Sequence, residues 1–305
     1  MESAPYAARP LAERLRLRDR VLRSLRAWFQ ERGFVEVDTP QRVRCPGIDT
    51  HVDAIPAGEG RWLATSPELE MKILLGSGCG RIVQFARAFR AGERGDRHGP
   101  EFTLLEWYAP GQDYRDLMRD SEELVAAAAA ALEEHGMPTR LAAWPRPFER
   151  IRVDDAFERW AGWRPSRAFD EERFFEDLVD RVEPRLAGLG AVYLLDWPAP
   201  TGALARRSTS DSAVCERVEL YLDGLEICNG FSELTDLTEQ EARFERDNAE
   251  RARRGRTQYP PDRRFLDALA AGIAPCAGNA LGIDRLLMAL TGSGRLADVT
   301  LLTGE

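Results

Sequence analysis

The sequence predicts an α+β fold, a mostly antiparallel sheet with helices packed on it. Strand patterns outnumber possible crossover helices between residues 60 and 110 and again between 215 and 285. Strands joined without crossover helices pair antiparallel. The 305 residues are 44% hydrophobic, enough for a large core beneath such a sheet.

The elements follow in order. Leu11 to Arg32 reads as an amphipathic helix with Leu11, Leu15, Leu22, Leu25 and Phe29 on roughly one face, ended by Gly33. "FVEVDTP" alternates as a strand and stops at Pro40, which suits an edge. "RWLATSPELEMKILL" reads as strand, turn and helix: Ser66 is an N-cap, Pro67 takes the first helical position, and Glu68 and Glu70 lie near the positive helix end. "RIVQFARAFRA" and "EFTLLEWY" are strands, and Asp113 to Gly136 is a helix. Residues 137–190 have poorer texture, with helices expected at Asp154 to Ala161 and Asp170 to Leu189. "AVYLLDWPAP" is a strand entering a proline-rich loop, and "RVELYLDGLEICNG" is a long strand or a hairpin. "TEQEARFERDNAERARRG" is a charged helix, and "GNALGIDRLLMALTG" is strand, then helix. With no repeat and no low-complexity linker, one domain over residues 1–305 is expected.

Composition excludes several functions. A net charge of -9 does not suit non-specific nucleic-acid binding, which needs clustered cations. Lys72 is the single lysine and follows Met71, so no P-loop is possible. The five cysteines contain no CxxC pair and the three histidines lie far apart, which disfavours zinc. An odd cysteine count and an N-terminus without an apolar run fit a cytoplasmic protein. No stretch reaches the roughly 20 apolar residues of a membrane span.

Chemistry concentrates in four stretches. "FRAGERGDRHGPEF" sets Arg90 at a strand end and Phe102 on the next strand, with Phe102, Leu104, Glu106 and Tyr108 on one face. An arginine beside an aromatic can clamp a purine triphosphate; alone, the stretch equally fits a hairpin with a solvated loop. "LEICNGFSEL" carries Glu226 and Glu233, which can flank magnesium or be surface acids around a turn. "GNALGIDRL" places Gly278 and Gly282 where a flat ligand could approach the backbone, or where helix and strand simply pack closely. "TSPELE" offers a helix N-terminus to a substrate, or only a cap.

In order, FxExxxP, then FR-loop-PEF, then GxDR resemble the three motifs of class II aminoacyl-tRNA synthetases. "GFVEVDTP", "TSPELEMKILL", "PEFTLLEWY", "EICNGFSELTD" and "ALGIDRL" resemble the lysyl branch, most of all its short paralogues that ligate (R)-β-lysine to elongation factor P. The resemblance runs from about Leu11 to Leu290 and is weakest over 137–190, which reads as a family-variable helical insertion. The first catalytic-type helix begins near Leu11, which leaves no room for a five-stranded anticodon-binding barrel. Transfer RNA is therefore not expected as a partner.

The resemblance implies the class II catalytic fold, a homodimer built on the first motif, and an ATP-dependent, AMP-forming ligase acting on a protein lysine. It implies that Arg90 and Arg285 are catalytic, Arg90 on the α-phosphate and Arg285 over adenine and towards the γ-phosphate. Ala91, Gly92, Gly99, Phe102, Glu226, Ile227 and Gly282 complete the ATP site, with Phe102 stacking under adenine. Ser66, Pro67, Glu68, Tyr108, Glu233 and Ala280 form the amino-acid pocket. Glu226 and Glu233 hold Mg2+. Paired acids suit a substrate with two ammonium groups. The sequence departs from the family at Gly92, where the second motif has glutamate and Glu93 follows, and at Gly99, where asparagine is common. The lysyl enzymes have glycine where this chain has Ala280, as the short paralogues do; one methyl can shift selection between α- and β-amino isomers by about 1 to 3 kcal/mol. Another acceptor, such as a carrier protein or small amine, and a non-catalytic binder remain as alternatives. Lysine against (R)-β-lysine stays open.

Overall fold

The computed structural model describes residues 4–300. Eight strands form one sheet in the order β1-β4-β5-β10-β9-β8-β7-β6. They are β1 (Val35–Glu36), β4 (Ile82–Phe89), β5 (Glu101–Pro110), β6 (Glu149–Arg152), β7 (Ala191–Pro198), β8 (Val214–Leu222), β9 (Leu225–Ser232) and β10 (Cys276–Gly282). The pairs from β4 through to β7 are antiparallel, and only the outermost strands, β1 and β6, join in parallel. The α+β expectation holds. A small ribbon of β2 (Arg42–Val43) and β3 (Trp62–Leu63) stands apart.

One sheet face meets α1 (Leu11–Glu31), α3 (Tyr114–Glu133) and α9 (Ile283–Thr291). The helix α1 buries Leu17, Val21, Leu25, Trp28 and Phe29. The expected stripe is thus partly corrected: Leu25 and Phe29 lie in the core, but Leu11 and Leu15 are 43% and 48% exposed. Apolar residues occupy two sides of α1, and the sheet takes the one ending in Trp28 and Phe29. The helix α3 is N-capped by Asp113, whose side chain accepts from the Arg115 and Asp116 amides. Its Ala128 and Ala129 are fully buried, small enough to let the helices close up.

The opposite face is covered at its two ends. Near β4 and β5, α2 (Glu68–Gly76), α7 (Leu237–Arg253) and α8 (Arg263–Ala271) bury Leu69, Met71, Phe244, Phe265 and Leu269. Near β7 and β8, the insertion packs α4 (Val153–Ala161) and α5 (Glu171–Asp177) through Phe157 and Phe174, whose rings stack at 4.8 Å. The expected helix from Asp170 to Leu189 is present as one continuous helical run whose hydrogen-bond ladder changes along its length. After α5 come a π-turn over Leu178–Val182, α6 (Glu183–Leu186) and a 3-10 turn over Ala187–Leu189. Pro184 has no N–H to continue the ladder. The four-residue strand β6 was not anticipated. A last short helix, α10 (Leu296–Val299), follows α9.

"RVELYLDGLEICNG" is a hairpin. Asp223 and Gly224 take φ of 49° and 75°, the left-handed pair that a two-residue turn between twisted strands needs.

Candidate active site

The middle of the second sheet face, over β5, β10 and β9, is open and floors a cavity of about 890 Å³. That is the size of a site for a nucleotide and a small substrate. The glycine-rich strand β10 gives it an axis. Gly278, Ala280 and Gly282 all face the cavity, opposite Tyr108, Glu106 and Leu104 of β5 respectively. Four residue steps of roughly 3.3 Å put about 13 Å between the two ends.

At the Gly278 end carboxylates gather. Lys72 Nζ lies 2.7 Å from Glu68 Oε1 and 2.5 Å from Glu233 Oε2. The second contact is an ion pair rather than an aligned hydrogen bond, and neither Glu233 oxygen has a hydrogen-bond partner among the described residues. Burial pushes the Glu233 carboxyl up to about 8 against the pull of Lys72, with the Glu68 charge adding to the rise. Tyr108 donates to Glu106 Oε1 at 2.6 Å, while Glu106 Oε2 is buried without a partner among the described residues. Burial, then the charge of Glu68, pushes Glu106 up to about 8. An unpaired buried acceptor is costly. Such acceptors beside a cavity are ready for ammonium groups. Gly278 permits this end: a Cβ there would collide with Tyr108 and Glu233.

At the Gly282 end the groups suit phosphate and a flat base. The Arg90 guanidinium stands 5.1 Å over the Phe102 ring, so the arginine and aromatic converge as the hairpin predicts. Arg285, from the first turn of α9, reaches Glu226 Oε2 at 3.2 Å. A Cβ at Gly282 would meet only ordinary contacts near 3.8 Å, so the protein itself does not demand glycine there; the bare backbone leaves room on the cavity side. Burial and the nearby Arg285 and Arg90 charges lower the His98 pKa, with Glu93 and Glu226 opposing.

One expectation is corrected. Glu226 and Glu233 are about six residue steps apart along the strand direction, roughly 20 Å, too far to share one ion. They do share a face, although seven residues of separation should put them on opposite faces. The cause is a bulge: Cys228 pairs with Leu220 but Glu226 pairs with Tyr221, so Ile227 is skipped. The same bulge brings Glu226 onto the face of Glu219. Glu219 is buried, bound by Arg217 and Tyr221, and pushed up to about 7 by burial, with Glu226 adding to the rise against Arg217. Among the described residues no three His, Cys, Asp or Glu side chains are grouped to hold a metal alone.

Of the residues expected at the site, Ser66, Glu68, Arg90, Gly99, Phe102, Tyr108, Glu226, Ile227, Glu233, Ala280, Gly282 and Arg285 line the cavity. Pro67, Ala91 and Gly92 do not. Pro67 is the N-cap of α2 rather than its first residue, and Ser66 Oγ approaches the Glu68 amide at 3.4 Å. The cavity also recruits Glu106, Arg217, Asn229 and Phe231. Alternation had already put Glu106 beside Phe102 and Tyr108; Arg217 and Asn229 carry no motif.

Comparison with known proteins agrees with this geometry. A family model described as tRNA synthetases class II (D, K and N) matches residues 6–304. The chain belongs to the class II tRNA synthetase family. It is similar to the elongation factor P–(R)-beta-lysine ligases of Salmonella paratyphi B and Salmonella schwarzengrund, each 36% identical over 324 residues and spanning 99% of this chain and 98% of the relative. The ligase of Salmonella arizonae matches to the same extent. The two departures from the family's second motif now have a local setting. Gly92 has φ of 77°, where a glutamate would be strained, and the Glu93 carboxylate stands 3.6 Å from Arg90. At Gly99 a Cβ would lie 3.0 Å from Leu296 Cδ2, so an asparagine there would need the Leu296 side chain on α10 to give way.

Proposed function

We propose that the chain activates (R)-β-lysine, or lysine, with ATP and ligates the product to a lysine side chain of elongation factor P. The observation that carries this is the separation of roles along β10. Buried carboxylate oxygens of Glu106 and Glu233 without hydrogen-bond partners among the described residues sit at one end of the cavity, and arginines with an aromatic ring at the other. A diamino acid laid along that axis would direct its ammonium groups to Glu68, Glu106 and Glu233 and its carboxylate towards Arg90.

The substrate carboxylate oxygen attacks the α-phosphorus of ATP in line, and pyrophosphate leaves. Arg90 and Arg285 stabilise the charge that develops on the phosphate oxygens. A neutral lysine amine of the acceptor then attacks the acyl carbon, its proton is lost, and AMP leaves. No protein nucleophile is required. Phe102 would stack on adenine, and Glu93 takes the place of the family's glutamate at position 92.

Magnesium fits Glu219 and Glu226 better than Glu226 and Glu233. Hard carboxylate oxygens on one sheet face suit that ion, with the remaining ligands from phosphate and water. When bound it would neutralise charge on the triphosphate. The chain would act as a homodimer in the cytoplasm, where a translation factor is its acceptor, and would not use transfer RNA.

The test is ATP–pyrophosphate exchange with both lysine isomers, followed by mass spectrometry of elongation factor P incubated with enzyme, ATP and the preferred isomer. Exchange and a mass gain on one lysine of the factor are expected. Exchange without that gain favours another acceptor, such as a carrier protein or a small amine. No exchange with either isomer sinks the reading.

A further inference from the structure

Lys72 is the single lysine of the chain, although Lys and Arg together number 42. Its side chain is 3% exposed. It rises one turn after Glu68 on α2, and its ammonium sits between Glu68 and Glu233. The rings of Phe231 and Tyr108 flank it at 5.2 and 5.8 Å. A buried cation within 3 Å of two carboxylates that face a substrate cavity is an unusual expense unless it shapes what that cavity binds.

We propose that Lys72 is the positioning residue of the amino-acid site: its ammonium, seated between Glu68 and Glu233, holds the two carboxylates apart on either side of it, so that together with Glu106 they accept the two ammonium groups of a diamino acid. This rests on the function proposed above. Charge counting supports it. The acyl portion of the adenylate carries two ammonium groups, and Lys72 makes a third cation. Three carboxylates, Glu68, Glu106 and Glu233, face them. Remove Lys72 and one buried negative charge is left over, which the protein can answer only by protonating an acid.

The charged and titratable groups facing this cluster are Glu68 on α2, Glu106 and Tyr108 on β5, Glu233 after β9 and Cys276 on β10. Lys72 is itself lowered by burial, but the charges of Glu233 and Glu68 outweigh this and hold it raised, so it stays a cation across the working range. As an ammonium it has no free electron pair and cannot attack the adenylate beside it. Arginine is a poor replacement, because a planar guanidinium with five donors cannot act as a compact point charge between two carboxylates.

The experiment is pyrophosphate exchange by the full-length parent, Lys72→Met and Lys72→Arg, with the preferred lysine isomer, from pH 6.5 to 9.5. Methionine keeps the length and apolar stem and removes the charge. Expected for Lys72→Met is a rise in KM for the amino acid of at least tenfold at pH 7.5, an unchanged KM for ATP, and a pH profile of kcat/KM displaced upward. Lys72→Arg keeps a cation, so its profile should stay at the parental pH even if its KM rises. A Lys72→Met enzyme with the parental amino-acid KM and pH profile overturns the inference and leaves the proposed function standing. Should Lys72→Met fail to fold, Lys72→Arg decides: a profile displaced upward despite the retained charge would overturn it. Absence of exchange by the parent with either isomer removes the function and this inference with it.

Discussion

Gly278 lies directly opposite Tyr108 in the β10–β5 register, and the Tyr108 ring lies over its Cα so closely that no Cβ can be added. The same glycine makes room for Glu233. Sequence and packing meet at this position, because a bare strand residue lets an aromatic and a carboxylate fold over it.

Gly278→Ala should therefore harm the site more than the fold. The strand itself tolerates alanine, but Tyr108 and Glu233 must both move. Overpacking of this kind costs about 1 to 3 kcal/mol. Expected is a lower Tm together with a KM for the amino acid raised at least tenfold, read by thermal unfolding and pyrophosphate exchange. A variant with parental KM would mean that substrate does not reach this end.

Arg90→Ala and Glu226→Gln should each abolish adenylate formation without unfolding the chain. Arg90 is partly exposed at a strand end, and Glu226 contacts Arg285 at the Gly282 end of the cavity. Both are read as groups whose contacts strengthen in the transition state. Circular dichroism should be unchanged while exchange falls at least a hundredfold. Near-normal exchange in either would place the nucleotide elsewhere.

Acidity at the Gly278 end gives a pH prediction with a definite sign. Burial raises Glu233 to about 8, favouring its neutral form. The proton must leave before the carboxylate can hold an ammonium. Hence kcat/KM for the amino acid should rise between pH 7 and 8.5, in the free-enzyme profile. Glu233→Gln should flatten most of that rise and weaken amino-acid binding, whereas Glu219→Gln should weaken ATP use instead. If both variants raise only the KM for ATP, Glu233 belongs to the nucleotide end after all.

Much of this was legible in the chain, for identifiable reasons. Alternation over "EFTLLEWY" gave the cavity face of β5, because a strand with one face in a core and one in a site must alternate. The Glu226–Glu233 pairing failed because a shared face says nothing of distance along a strand; the one-residue bulge at Ile227, which turns Glu226 onto the face of Glu219, leaves no mark in the sequence. Lys72 was noted only for excluding a P-loop; its role depends on Glu233, which lies 161 positions further along the chain. The change of ladder ahead of Pro184 was readable from proline's missing donor. The exposed side of α1 was not, since two apolar stripes compete and only the sheet decides between them.

That exposed side bears on assembly. Leu11, Leu15 and Val35 are 43%, 48% and 62% exposed, on the first helix and the edge strand. Exposed large apolar side chains on these two elements are what an interface built on them would cover. A two-fold homodimer through these elements is expected. Sedimentation at micromolar concentration should show a dimer, and Leu15→Glu with Val35→Glu should shift it towards monomer. A parent that sediments only as monomer removes the claim.

The last prediction concerns Ala280. It lies midway between the two ends of the cavity, opposite Glu106 on β5 and Asn229 on β9. A carboxylate aimed at the phosphate end and a terminal ammonium at the Gly278 end must span this point. The first amino-bearing carbon then passes close to the Ala280 methyl. With glycine there, an α-amine beside the carboxylate has room; with alanine, that corner is crowded and an amine one carbon further along, nearer Glu106, is favoured. Ala280→Gly should relax selectivity towards α-lysine and leave the KM for ATP unchanged, because Arg90, Phe102 and Arg285 are untouched. One methylene-scale contact is worth about tenfold to a few hundredfold. The measurement is kcat/KM for pyrophosphate exchange with each isomer, in the parent and in Ala280→Gly. An unchanged ratio would mean that Ala280 does not set selectivity, and that discrimination rests on Ser66, Tyr108 or Glu233.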